Sequence, residues 1–431
     1  MPEKQKGLLK SSLLVGVMTM ISRLLGLLRD VVFAVYLGDK PGADAFFVAF
    51  KVPQFLRRLF AEGAFSQAFV PVLSEYQTTR SRVEVKRLID RVAGVLGLVV
   101  FLVCFVVVLA SPWFTILVAP GFYLGDDPEK YQLTSEMIRI TFPYLFLITM
   151  TGFAGAVLNT YNQFAVPAFT PVFLNICLIV SAVFVSPYFE QPVMAIAWGV
   201  LMAGIIQLLF QMPFLLRLQL MPTPIVDFSH PGVKRIMTLM LPALFGVSVS
   251  QLNLMLDTIL ASFLPTGSVS WLYFSDRISE LPLGVFGIAI ATVILPNLSR
   301  KHAANDPVRF SATVDWALRL VLLISIPATT ALLVLALPIL KTLFMYGDNF
   351  TLFTAQMSAF SLQAYALGLL AFMSIKILAT GFYARQDMKT PVAIGVKAMI
   401  VNSVLNVVFI FPMHHFWQLG HVGLALATTI A

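Results

Sequence analysis

Apolar runs of about 20 residues, each closed off by Gly, Pro or a charged side chain, recur along the whole of this 431-residue chain. A run of that length crosses the hydrocarbon of a bilayer as a helix. Charged residues make up only 12% of the sequence and apolar ones 58%. Soluble domains carry about 25% charged residues, so a soluble fold is excluded. The expected fold is an all-α polytopic membrane protein. Spans are expected at 11–36, 44–74, 92–118, 134–158, 166–187, 192–216, 236–263, 268–298, 312–337, 352–381 and 391–412, with a last one opening near 419. The final residues, GHVGLALATTIA, stop inside an apolar run with no cap or flanking charge, so the twelfth helix is expected to be truncated.

The formal charge of +8 sits in short loops between spans. Topology explains it, and no nucleic-acid partner is expected. Cations cluster in alternate loops: Lys4, Lys6 and Lys10, then Arg80, Arg82, Lys86, Arg87 and Arg91, then Arg217, Lys234 and Arg235, then Arg300, Lys301 and Arg309, then Arg385 and Lys389. The intervening loops set Lys40, Lys130 and Lys341 against Asp126, Asp127, Glu129, Glu190 and Asp348. The positive-inside rule then places the N-terminus and the even-numbered loops in the cytoplasm. The first apolar run is followed by Arg23 and Arg29 rather than a small-residue cleavage site, so it is not a cleavable signal. Cys104 and Cys177 lie in apolar runs, without zinc or disulfide spacing, and are expected to be free thiols.

A weak internal repeat divides the chain. Laying 22–76 on 250–302 matches Asp30 to Asp257, Phe46 to Trp271, Ala64 to Ala289, Pro71 to Pro296 and Ser74 to Ser299. Six spans separate the copies, so the repeat is parallel. Two lobes are expected, 1–220 with helices 1–6 and 221–431 with helices 7–12, around a central cavity.

Ionisable residues inside apolar helices carry the functional argument, because a charge at the bilayer centre costs roughly 2.5–3.5 kcal/mol or more. In the first span Arg23 and Asp30 share a face, while Arg29 lies about 120° away on an ideal helix. Either Arg23 pairs with Asp30 while Arg29 snorkels to the interface, or both arginines face one cavity, helped by bending at Gly26. In the second span Asp44, Lys51, Arg58, Glu62 and Ser66 form a stripe that Arg57 leaves. Pro53 disturbs the register, so the helical wheel cannot choose between Arg57 and Arg58. These charges form either an internal ion-pair network or a binding surface. The eighth span carries Ser275, Asp276, Arg277 and Glu280, with Arg277 and Glu280 spaced to pair directly; Pro282, Gly284 and Gly287 make the following stretch bendable. In the seventh and eleventh spans Ser250, Asn253, Asp257, Asn402 and Asn406 read as interhelical hydrogen bonding or as a possible cation site for sodium or a proton. Lys376 reads as snorkelling, and His414 and His415 as solvated residues of a short outer loop.

No phosphate loop, H-E-x-x-H or G-x-S-x-G motif occurs, so transport would draw on an ion gradient or the membrane potential. Neither cofactor nor firm metal site is expected. The segments SRLLGLLRD, GADAFFVAFKVPQFLRRLFAEGAFSQAFVP, NTYNQFAVPAFTPVFLN, GSVSWLYFSDRISELPLGVFGIAIATVILPNLS and ATGFYARQDMKTPV resemble, in order and over nearly the whole chain, the bacterial lipid II flippase family MurJ (MviN). That family lies within the multidrug/oligosaccharidyl-lipid/polysaccharide exporter superfamily. The resemblance implies two six-helix lobes plus two C-terminal helices that are not in this sequence. It implies an inner-membrane transporter, not an enzyme, that moves lipid II from the cytoplasmic to the periplasmic leaflet by alternating access. It maps substrate-binding arginines onto Arg23, Arg29, Arg57 and Arg277, favouring Arg57 over Arg58, with Ser22, Asp44 and Glu280 beside them. A monomer surrounded by membrane phospholipids is the expected form. An exporter of amphipathic cationic drugs would want carboxylates in the cavity instead. A membrane enzyme acting on polyprenyl diphosphates would need paired carboxylates or a nucleophile, and no convincing set is present.

Overall fold

The computed structural model describes the backbone over 3–57, 65–125 and 127–431, and side chains from Leu14 onward within these apart from 241–250. The described residues contain helices and no strand. The chain groups into two compact units, one of 1–37 with Pro41–Gln251 and one of Gly38–Lys40 with Leu252–Ala431. Eight helices among the described residues are long and apolar enough to cross a membrane.

The first unit opens with α1 (Glu3–Tyr36) and α2 (Pro41–Arg57), followed by α3 (Phe65–Thr79) and α4 (Arg82–Leu109). Pro53 lies inside α2, which runs on as far as Arg57. Arg58 and Glu62 lie outside the described residues. The α1–α2 junction is filled by aromatic rings: Phe33 meets Phe46 edge-on at 5.5 Å, and Phe46 stacks on Phe50 at 5.4 Å. The third expected span is two helices, α4 and α5 (Ser111–Val118), because Pro112 at the start of α5 cannot donate into the preceding turn. After α6 (Pro120–Leu124) the fourth span is likewise divided, into α7 (Pro128–Thr141) and α8 (Tyr144–Thr160), at Pro143. Then follow α9 (Ala165–Val180), whose run continues through a π turn, Ser181–Val185, and α10 (Pro192–Arg217). Gly204 lets α10 approach α8 closely; a Cβ there would come within 2.8 Å of the Tyr144 ring. The first unit ends in α11 (Pro231–Ala261), which continues into the second.

The second unit contains α12 (Ser268–Pro282), α13 (Ile288–Ala303), α14 (Pro307–Phe344), α15 (Leu352–Ala384), α16 (Lys389–Trp417) and α17 (Gly420–Ile430). Between α12 and α13 the chain passes through a π turn, Leu283–Gly287, where the sequence predicted a bendable stretch. Phe274 of α12 packs on Phe344 and Phe350, both at 5.1 Å, to form one end of the core. His414 and His415 lie in the last turn of α16 rather than in a loop, because that helix runs five residues beyond the expected end of its span.

Candidate functional site

Each unit carries its own set of charged residues within or beside membrane-spanning helices. In the first, α9 supplies the organising residue, Asn175, which is buried against α1. Its amide Nδ2 donates to the Ser22 carbonyl at 3.1 Å, and its Oδ1 accepts from Arg29 Nη1 at 3.0 Å. Arg29 also donates from Nε and Nη2 to one oxygen of Asp30, at 3.0 and 2.7 Å. Its guanidinium lies 5.6 Å from the centroid of Phe33. Arg29 is only 8% exposed, so it does not snorkel to the interface, and Asp30 takes its sequence neighbour as ion partner. A buried guanidinium must be paired and hydrogen-bonded, and the Asp30 carboxylate with the Asn175 amide meets both needs.

Arg23 contrasts with it. It lies exposed on α1, with no hydrogen-bond or ion-pair partner among the described residues, and Ser22 beside it is half-buried. Arg57 is half-buried in the last turn of α2. Asp44 sits in the first turn of the same helix and pairs with Lys130 of α7 at 3.0 Å. Both side chains are almost fully buried, and the ammonium rests 4.2 Å from the Phe122 ring centroid. Lys130, expected in a solvated loop, is instead buried at the helix start, and it supplies Asp44 with a fixed cation other than an arginine.

In the second unit Arg277 and Glu280 meet at 3.4 Å across one turn of α12, as their spacing predicts. Both remain partly exposed, and Arg277 stacks over Tyr273 at 5.1 Å. Asp276 is half-buried on the same helix. Deeper in this unit, Asp257 Oδ1 accepts from Asn406 at 2.8 Å and Asn402 at 3.2 Å, and its Oδ2 accepts from Thr428 at 3.3 Å. Asn402 donates further to Asn253 at 2.8 Å. The remaining amide oxygens of Asn402 and Asn406 are buried without partners. The Asp257 carboxylate, the two Asn amides and the Thr428 hydroxyl thus meet at one point among α11, α16 and α17. Among the described residues no group of three or more His, Cys, Asp or Glu could hold a metal.

Spacing exposed the arginines, but it missed Asn175 and Lys130. A lone Asn in PVFLNICLIV reads as ordinary interhelical hydrogen bonding. Lys130 sits in the charged run DDPEK, which reads as solvated loop.

A model of the lipid II flippase MurJ family matches residues 33–431. The chain is 51% identical over 431 residues to a probable lipid II flippase MurJ of Vibrio cholerae, covering 99% of this chain and 81% of that protein. It is 42% identical to the lipid II flippase MurJ of Burkholderia cenocepacia, covering 97% of this chain and 80% of that one. A solved lipid II flippase MurJ in an inward closed conformation superposes with a TM-score of 0.82 at 29% identity, covering 97% of this chain and 84% of the other. An inward-facing multidrug transporter of the MATE family and MOP superfamily superposes at 0.76 with 15% identity, covering 97% and 94%, so the two share a fold. This chain belongs to the lipid II flippase MurJ family.

Proposed function

We propose that the chain is a flippase that carries undecaprenyl-diphosphate-linked disaccharide-pentapeptide, lipid II, across the bacterial inner membrane from the cytoplasmic to the periplasmic leaflet. The observation that carries this reading is Arg23, an arginine exposed on α1, a helix expected from its apolar run to span the membrane, with no ion partner among the described residues. Such a cation is costly in hydrocarbon and acceptable in a wet cavity that receives an anion. Guanidinium keeps its charge and grips phosphate oxygens in pairs.

In this reading Arg23 and Arg57 of the first unit and Arg277 of the second contribute to binding the diphosphate. Arg29 is already neutralised by Asp30. Its role is to hold α1 through Asn175, or to pass from Asp30 to a phosphate as substrate enters. Glu280 accompanies Arg277 when the cavity is empty and yields as the diphosphate arrives. Asp44 shapes the start of α2 through Lys130 and stays out of the anion site. The N-terminus faces the cytoplasm, and the protein acts as a monomer among membrane phospholipids. The membrane potential, worth about 2.3 kcal/mol per charge per 100 mV, is a sufficient source of energy for moving the anionic headgroup outward. No sodium step is assigned to Asp257, Asn402 and Asn406.

The test is replacement of Arg277 by Ala in cells whose own flippase is depleted. Loss of growth with normal levels of the variant in the membrane is expected. Normal division would remove Arg277 from the mechanism.

A further inference from the structure

At the end of the second unit where the α13–α14 and α15–α16 turns lie, α14 and α15 leave a cleft of about 330 Å³ between them. Phe310, Val314 and Leu318 recur every four residues along one wall, and Leu378 and Phe382 form the other. Gly381 keeps the floor low: a Cβ there would touch only Val314, at 4.0 Å. Helix length sets the depth. With 38 residues α14 is about 57 Å long, nearly twice the roughly 30 Å of hydrocarbon, so its first turns lie at headgroup level.

Arg385 stands at the mouth of this cleft. Its guanidinium is 4.5 Å from the centroid of the Phe310 ring, and it has no carboxylate within ion-pair distance among the described residues. The neighbouring acids are engaged elsewhere. Asp306 pairs with Arg309 at 3.5 Å, and Asp315, which lines the cleft, pairs with Arg319 at 2.9 Å. Asp387 accepts the backbone N–H and the hydroxyl of Thr390, at 3.0 and 2.6 Å. The Ser311 hydroxyl is given to the Val308 carbonyl. Arg300, Lys301 and Lys389 add positive charge at the same end of the helices. An apolar slot at headgroup depth with one uncompensated arginine at its mouth complements a ligand with a phosphate at one end and hydrocarbon at the other.

We propose that the α14–α15 cleft binds an anionic glycerophospholipid of the adjoining leaflet, with its phosphate on Arg385 and the start of an acyl chain between Phe310, Leu318 and Leu378. Stacking on Phe310 orients the guanidinium before the lipid arrives. The site requires only that α14 and α15 cross a bilayer, and it uses none of the arginines assigned to the transported lipid.

Native mass spectrometry of the purified full chain, titrated separately with dioleoylphosphatidylglycerol and dioleoylphosphatidylcholine, tests it. One phosphatidylglycerol should be retained at energies that strip phosphatidylcholine. Arg385→Gln should lower its occupancy about tenfold, as loss of a charge-assisted contact implies, with the thermal transition unchanged. The slot-filling Gly381→Leu should lower it by occupying the acyl slot. Arg385 is exposed, so its replacement carries the test even where Gly381→Leu fails to fold. Equal retention of the two lipids overturns the site, as does a phosphatidylglycerol adduct that survives both variants. An adduct lost only in Arg23→Ala or Arg277→Ala also overturns it, placing the phosphate at the transport arginines. So does Arg385-dependent binding of undecaprenyl diphosphate without phosphatidylglycerol, which would assign the cleft to the transported lipid.

Discussion

Asn175 satisfies a buried cation on one side and a helix carbonyl on the other, so one neutral side chain fixes how α9 meets the charged turn of α1. Replacing it with Ala leaves a guanidinium N–H and the Ser22 carbonyl short of a partner, and should lower stability by about 1–3 kcal/mol in a thermal or denaturant measurement. The Asp44–Lys130 pair is more costly to break. Lys130→Met alone takes the ammonium from a carboxylate that is 1% exposed, and a loss of about 3–5 kcal/mol is expected. The double replacement Asp44→Leu with Lys130→Met should recover most of it, because two well-packed apolar side chains replace two buried charges. If the double variant is no more stable than the single one, the pair has a role beyond mutual neutralisation. Intramembrane charge in the sequence singled out Arg23, Arg29 and Arg277, whereas Arg57 was separated from Arg58 only by the family resemblance. Periodicity says nothing about which charge is cancelled: on an ideal helix Asp30 shares a face with Arg23, yet in the folded chain it pairs with its neighbour Arg29.

The segment after α10 is welded to α4. Asp90 accepts the Thr223 N–H at 2.7 Å on its side chain and the Ile225 N–H at 3.0 Å on its carbonyl, and Lys86 bonds the same carboxylate. Arg91 pairs with Asp227 at 2.7 Å. Gly94 makes room for this strap, because a Cβ there would fall 2.2 Å from the Ile225 carbonyl oxygen. Gly94→Ala must push the strap away, and amide hydrogen exchange at Thr223 and Ile225 should rise at least tenfold. Unchanged protection would show that α4 can yield instead. Hydrogen bonds from Ser229, followed by the Arg91 charge, hold the Asp227 carboxyl below its ordinary value of 3.8. Burial, with Arg91 nearby, holds His230 below 6.5, and its neutral ring accepts the Gly232 N–H at the start of α11. Both groups bind protons more readily when the strap is released. Protection of the strap is therefore complete above pH 6.5, weakens first as the unfolded-state histidine protonates below it, and weakens again below pH 3.8. Element boundaries show the same limit of sequence reading. Hydropathy pointed to the spans, yet at Pro112 and at Pro143 an expected span is divided into two helices.

Across the molecule, the all-α polytopic membrane class followed from the long apolar runs. What sequence spacing left open was the state of each charge, because burial and pairing depend on which helices pack together. Arg29 is neutralised within α1, whereas Arg23 stands without an ion partner among the described residues. Under the proposed function, Arg23 and Arg277 are two of the three arginines that meet the diphosphate. The most direct measurement is retention of undecaprenyl-diphosphate-linked precursor by the purified full chain, read by native mass spectrometry for wild type and for Arg23→Ala with Arg277→Ala. Two lost charge-assisted phosphate contacts predict a fall in apparent affinity of at least a hundredfold, with the helical fold intact. Precursor held as tightly by the double variant as by wild type would contradict the assignment.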